Sequence, residues 1–109
     1  MKLHRTERIS KLIMEYLNEI IIREIELPNV MATITAVDVA KDHSRAIVRV
    51  SVLPSDKSAG VVKTLNHTRG RLQYQLQRKI NIRPMPKIIF EVDKGPEQAA
   101  AVEKALLNK

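Results

Sequence analysis

Ile9, Leu12, Ile13, Tyr16, Leu17, Ile20 and Ile21 recur at the i, i+3, i+4, i+7 spacing of one helix face, with Glu15, Glu19 and Glu24 on the other sides. The pattern predicts an amphipathic helix that ends at Leu27-Pro28-Asn29, since a residue before proline is pushed out of helical angles. Two runs rich in β-branched residues follow, Ala32 to Ala40 and Arg45 to Leu53. In the second, Ala46, Val48, Val50 and Val52 alternate with Arg45, Arg49 and Ser51, the period of a half-buried strand, and only Ile47 interrupts the polar side. Lys41-Asp42-His43-Ser44 supplies turn chemistry between them, so the pair reads as an antiparallel hairpin. Pro54 and Ser55 stop the second strand, and Ser55 or Asp56 is placed to cap a following helix.

That helix is expected over about 57–80, with Val61, Val62, Leu65, Leu72, Leu76 and Ile80 facing inward and Tyr74 partly buried. Gly70 lies inside it, where glycine costs about 1 kcal/mol relative to alanine. Arg83-Pro84-Met85-Pro86 forbids continuation. A third strand is expected over Lys87 to Val92, with Ile88, Phe90 and Val92 on one face. Asp93-Lys94-Gly95-Pro96 then turns the chain into a short helix over about 97–107, Pro96 fitting the first helical position. The order α-β-β-α-(break)-α-β-α, without repeat or linker, predicts one α+β domain with helices on one face of a three-stranded sheet.

The 109 residues carry 44% hydrophobic residues, ordinary for one folded domain. No apolar run reaches membrane-spanning length and the first residues lack an apolar signal core, so a soluble, cytoplasmic protein is expected. The absence of cysteine excludes disulfides, thiolate metal sites and cysteine nucleophiles. His4, His43 and His67 are not at ligand spacing, His43 and His67 read as solvent-facing, and no phosphate-loop, dinucleotide or nucleophile-elbow motif occurs. Asp38, Glu91 and Asp93 read as solvated strand residues. No catalytic residue, metal, cofactor or small-molecule substrate is expected.

Charge changes the picture. Residues 41–90 hold eleven Lys or Arg against Asp42 and Asp56, 11 − 2 = +9, whereas the remainder holds eight against ten acids, 8 − 10 = −2. A basic block inside a folded domain is the footprint of a nucleic-acid binder. With aromatics at 3% and only Tyr74 in the basic region, a base-stacking platform is not expected.

Four segments together carry a resemblance: RTERISKLIMEYLNEII, ITAVDVAKDHSRAIVRVSVLP, TRGRLQYQLQRKINIRPMPKIIFEVD and EQAAAVEKALL. In this order and spacing the chain resembles the ribosome-binding factor A family, from about residue 5 to 107. The resemblance implies a single type II KH-like domain over 1–109, with a core of about 5–93 and a C-terminal helix of about 96–107. It implies that a helix-kink-helix replaces the GxxG clamp of ordinary KH domains, the matching positions being Thr68, Arg69 and Gly70, with Thr68 where alanine is usual. The implied function is non-enzymatic: binding immature small (30S) subunits and their rRNA, support of late 16S rRNA maturation, and release assisted by an assembly GTPase, as a monomer.

On that reading, Arg69, Arg71, Arg78 and Lys79 neutralise phosphates beside the kink, and Lys63, Arg45, Arg49 and Arg83 extend the track. Gln73, Gln75 and Gln77 are placed to bond backbone or 2′-hydroxyl groups. The competing readings are a generic KH-like RNA binder and a protein-interaction module with an incidental basic surface.

Overall fold

The computed structural model describes residues 5–95. Helix α1 (Arg5–Glu24) is followed by strands β1 (Met31–Val39) and β2 (Arg45–Leu53), a 3₁₀ turn (Ser55–Lys57), helices α2 (Ser58–His67) and α3 (Arg69–Lys79), and strand β3 (Lys87–Val92). The expected C-terminal helix lies outside the described residues. The architecture is α+β: the sheet runs β1-β2-β3, with β1 and β2 an antiparallel hairpin and β3 parallel to β2. A parallel neighbour requires a crossover, and α2 and α3 provide it.

Alternation places Ala46, Val48, Val50 and Val52 on the buried side of the sheet, with Ile88 and Phe90 of β3 beside them. Ile9, Ile13, Leu17, Ile20 and Ile21 of α1 meet Val61 and Leu65 of α2 and Leu72 and Leu76 of α3 in one core. Helices α1, α2 and α3 thereby pack on one side of the sheet, and Arg45, Ile47, Arg49 and Ser51 point to the other.

Two local expectations are corrected. Helix α1 stops at Glu24, before the proline boundary, with Ile25 N–H bonded to Ile21 O at 3.0 Å and the Arg71 guanidinium on Glu24 O. Neither Ser55 nor Asp56 caps α2; its N-cap is Lys57, without a side-chain cap bond. The stretch over about 57–80, expected as helix with a kink at Thr68, Arg69 and Gly70, is two helices meeting at Thr68, whose backbone (φ −98°, ψ 6°) leaves the helical region. The Thr68 hydroxyl donates to Thr64 O at 3.0 Å, a back-bond that competes with helix continuation, and Thr68 O accepts the N–H groups of Arg71 and Leu72 at 3.1 Å to start α3.

Candidate nucleic-acid interface

The eight basic residues expected to bind RNA do not share one surface. Lys63 on α2 and Arg69, Arg71, Arg78 and Lys79 on α3 belong to the helical layer, Arg69 half-buried and the others exposed. They lie off the buried stripes of Val61 and Leu65 in α2 and of Leu72 and Leu76 in α3. Arg83 is exposed in the loop entering β3. Arg45 and Arg49 stand instead on the open side of the sheet.

Arg49 is the residue most changed by tertiary structure. Its Nε donates to Asp38 Oδ2 at 3.3 Å, and its Nη1 is 3.9 Å from Glu91 Oε1. Asp93 completes this cluster: the Thr35 hydroxyl donates to its Oδ2 at 2.6 Å and the Gly95 N–H to its Oδ1 at 2.9 Å. The Thr35 bond, then that from Gly95, with the Arg49 charge as a further cause, holds the Asp93 carboxyl below the ordinary aspartate range. Asp38 and Glu91, which read separately along the chain, are therefore gathered on Arg49 by the strand order, with Asp93 within reach of its charge. No local sequence signal announces this; only shared parity within each strand together with the β1-β2-β3 order does.

Arg71 is partly committed as well. Its Nη2 donates to Glu24 O at 3.0 Å, placing a cation on the negative end of the α1 dipole and tying α3 to α1. For Lys63, Arg69, Arg78 and Lys79, no acid stands within ion-pairing distance among the described residues. Arg69 and Gly70 are the first two residues of α3, where backbone N–H groups precede the first intrahelical bonds.

Gln73 does not face outward as expected: its Oε1 accepts the Ile88 N–H at 3.1 Å. Gln75 is half-buried and Gln77 exposed. Tyr74, expected partly buried, is 59% exposed because Leu72, Leu76 and Ile80 already form the inward stripe and a residue two positions off it faces away. The Arg78 guanidinium lies 5.9 Å from its ring centroid, at the outer reach of a cation–π contact. One aromatic thus stands on the basic side of α3, a feature that the composition did not suggest.

Gly70 is an ordinary helical residue. No glycine among the described residues has positive φ, and a Cβ added at Gly70 would meet nothing within 4 Å. Among the described residues, His67 is exposed, whereas His43 is half-covered in the hairpin turn. No group of three His, Asp or Glu side chains able to hold a metal exists among the described residues, and none of their helices is long and apolar enough to cross a membrane.

Comparison with known proteins gives a consistent match. The family model described as ribosome-binding factor A matches residues 5–106. A ribosome-binding factor A from Pseudomonas syringae pv. syringae is 36% identical over 110 residues, which cover 94% of this chain and 80% of that one. The crystal structure of ribosome-binding factor A from Thermus thermophilus superposes with a TM-score of 0.71 at 24% identity, covering 82% of this chain and 97% of that one. A homology model of the Thermus thermophilus factor, fitted into a cryo-EM map of a 30S complex, gives a TM-score of 0.64 at 23% identity over 85% of this chain and 96% of that one.

Proposed function

The chain belongs to the ribosome-binding factor A family, and from that premise we propose that it is an assembly factor which binds immature small ribosomal subunits through their rRNA. The observation that carries the reading is the set of cations on the α2–α3 layer, Lys63, Arg69, Arg78 and Lys79, left without acid partners among the described residues. Phosphate backbone is the chemistry that such a surface recognises, by releasing condensed counterions. The relative described in a 30S complex points to the same partner.

In the proposed mechanism the domain is type II KH-like over residues 1–109, and the helix break at Thr68 stands where a GxxG loop clamps backbone in other KH domains. The break starts α3 with its first N–H groups beside Arg69, so a phosphate received there meets both charge and donors. Tyr74 offers one stacking face to an unpaired base, and Gln77 a hydrogen-bonding side chain. The chain acts by binding as a cytoplasmic monomer and without catalysis, supports late 16S rRNA maturation, and leaves with the help of an assembly GTPase.

The test is a binding titration of the full chain against immature small subunits at several salt concentrations. Four neutralised phosphates give a slope of log K against log salt of about −3. The paired substitution Arg69→Glu and Arg78→Glu, at sites outside the core, should leave the fold intact and abolish most co-sedimentation. Normal co-sedimentation of that variant, or salt-independent binding of the wild type, overturns the reading. Crosslinking spread over many RNAs would favour a generic KH-like binder, and capture that survives RNase a protein partner.

A further inference from the structure

A second group of cations, none of them on α2 or α3, gathers at the end of the sheet where the β1–β2 turn lies. Arg5 in the first turn of α1 and Lys41 and His43 in the turn line one groove of about 560 Å³, together with Thr6 and Glu7. Arg45 and Lys87, the first residues of β2 and β3, are register partners at the same end, both exposed on the sheet face away from α1. The Lys87 N–H donates to Ser44 O at 3.1 Å, which fastens β3 to the turn.

The turn is itself held in shape. His43 has left-handed backbone (φ 60°), and its N–H donates to Ala40 O at 2.8 Å. The Asp42 carboxylate accepts the Ser44 N–H at 3.0 Å, and the bonds from Ser44 hold that carboxyl below its ordinary range. Arg5, Lys41, Arg45 and Lys87 against Glu7 and Asp42 give 4 − 2 = +2. None of these cations has an acid within ion-pairing distance among the described residues.

Helix α1 separates this end from the helix break. Arg71 binds Glu24 at the C-terminus of α1, and Arg5 lies at its N-terminus, nineteen residues or about 28 Å away at 1.5 Å per residue. Adjacent phosphates of one strand do not span such a separation.

We propose that the hairpin-turn end, formed by Arg5, Lys41, His43, Arg45 and Lys87, is a second phosphate-binding surface that holds an RNA segment remote from the one on α2–α3. The protein then bridges two RNA segments, with α1 setting their separation. This rests on the rRNA reading above and goes beyond it, because a factor with one contact surface satisfies that reading equally well. Glu7, which shares the groove, opposes the contact.

The chain contains no cysteine, so a single introduced cysteine can carry a tethered hydroxyl-radical source without competing sites. Full-length Asp56→Cys, beside α2, and Thr6→Cys, in the groove, are each bound to small subunits and the rRNA cleavages mapped. Two separate cleavage clusters are expected, one for each position. In parallel, Lys41→Gln with Lys87→Gln should reduce the salt slope by about 1.4–1.8, two phosphates' worth, and Glu7→Gln should tighten binding. The proposal is overturned if the Thr6 probe cuts no rRNA while the Asp56 probe does, or if the double variant keeps the wild-type slope. If the wild type itself shows no salt-dependent binding to subunits, the rRNA reading falls and this inference with it.

Discussion

At the scale of single residues, the helix break separates two neighbours that look alike in their consequences. Thr68 leaves helical angles and turns its hydroxyl back on Thr64 O, whereas Gly70 keeps ordinary backbone with open space where a Cβ would stand. Folding therefore does not require glycine at position 70. Gly70→Ala should stabilise the protein by about 0.5–1 kcal/mol, through lower unfolded-state entropy and better helix propensity. Urea unfolding monitored by circular dichroism measures this, and a loss of stability would show that the glycine has a packing role in the fold. The sequence drew attention to Gly70 because glycine is conspicuous in a helical pattern; the bond that Thr68 makes depends on a rotamer, which no pattern displays.

At the scale of elements, β3 has a sheet partner on one side only among the described residues, and side chains from the crossover helices bond its other edge. Asn66 Nδ2 donates to Phe90 O and Asn66 Oδ1 accepts the Phe90 N–H, each at 2.9 Å, which copies a strand partner with one amide. Gln73 treats the Ile88 N–H likewise at 3.1 Å. An exposed strand edge invites pairing with another chain, and these two amides blunt it. Asn66→Ala leaves backbone groups of the buried Phe90 without their partner and should cost about 1–3 kcal/mol, whereas the exposed Gln77→Ala should stay within about 0.5 kcal/mol. Equal effects in denaturant unfolding would mean that the edge is satisfied otherwise. Gln73 reads along the chain as a side chain placed to bond RNA; the role of both amides became visible only once β3 lay beside α2 and α3.

At the scale of the whole molecule, the basic block of residues 41–90 is divided by the fold rather than displayed as one track. The α2–α3 layer keeps cations without acid partners among the described residues, and the centre of the open sheet side holds Arg49 among Asp38, Glu91 and Asp93. A cation already paired with carboxylates releases few counterions on binding RNA. Arg49→Gln should accordingly leave the salt slope for subunit binding nearly unchanged, while Lys63→Gln should lower it by about 0.7–0.9. A slope that falls equally in both variants would place Arg49 in contact with RNA and require its ion pairs to open.

The sequence alone determined the described elements and their buried stripes. Periodicity of 3.6 marked α1, periodicity of 2 marked β2, and the hairpin and β3 followed from turn chemistry and prolines, because these signals are local and each residue's side is set by backbone geometry. It also determined the charge asymmetry and the family resemblance, which rest on residue identity and order. Tertiary structure decided which polar residues are spent inside the molecule. Arg49, Arg71, Asn66 and Gln73 all meet partners eleven or more positions away, at distances set by strand register and helix packing. A charge or amide reads the same along the chain whether it is paired or open, since its pairing energy belongs to two residues and their separation in space.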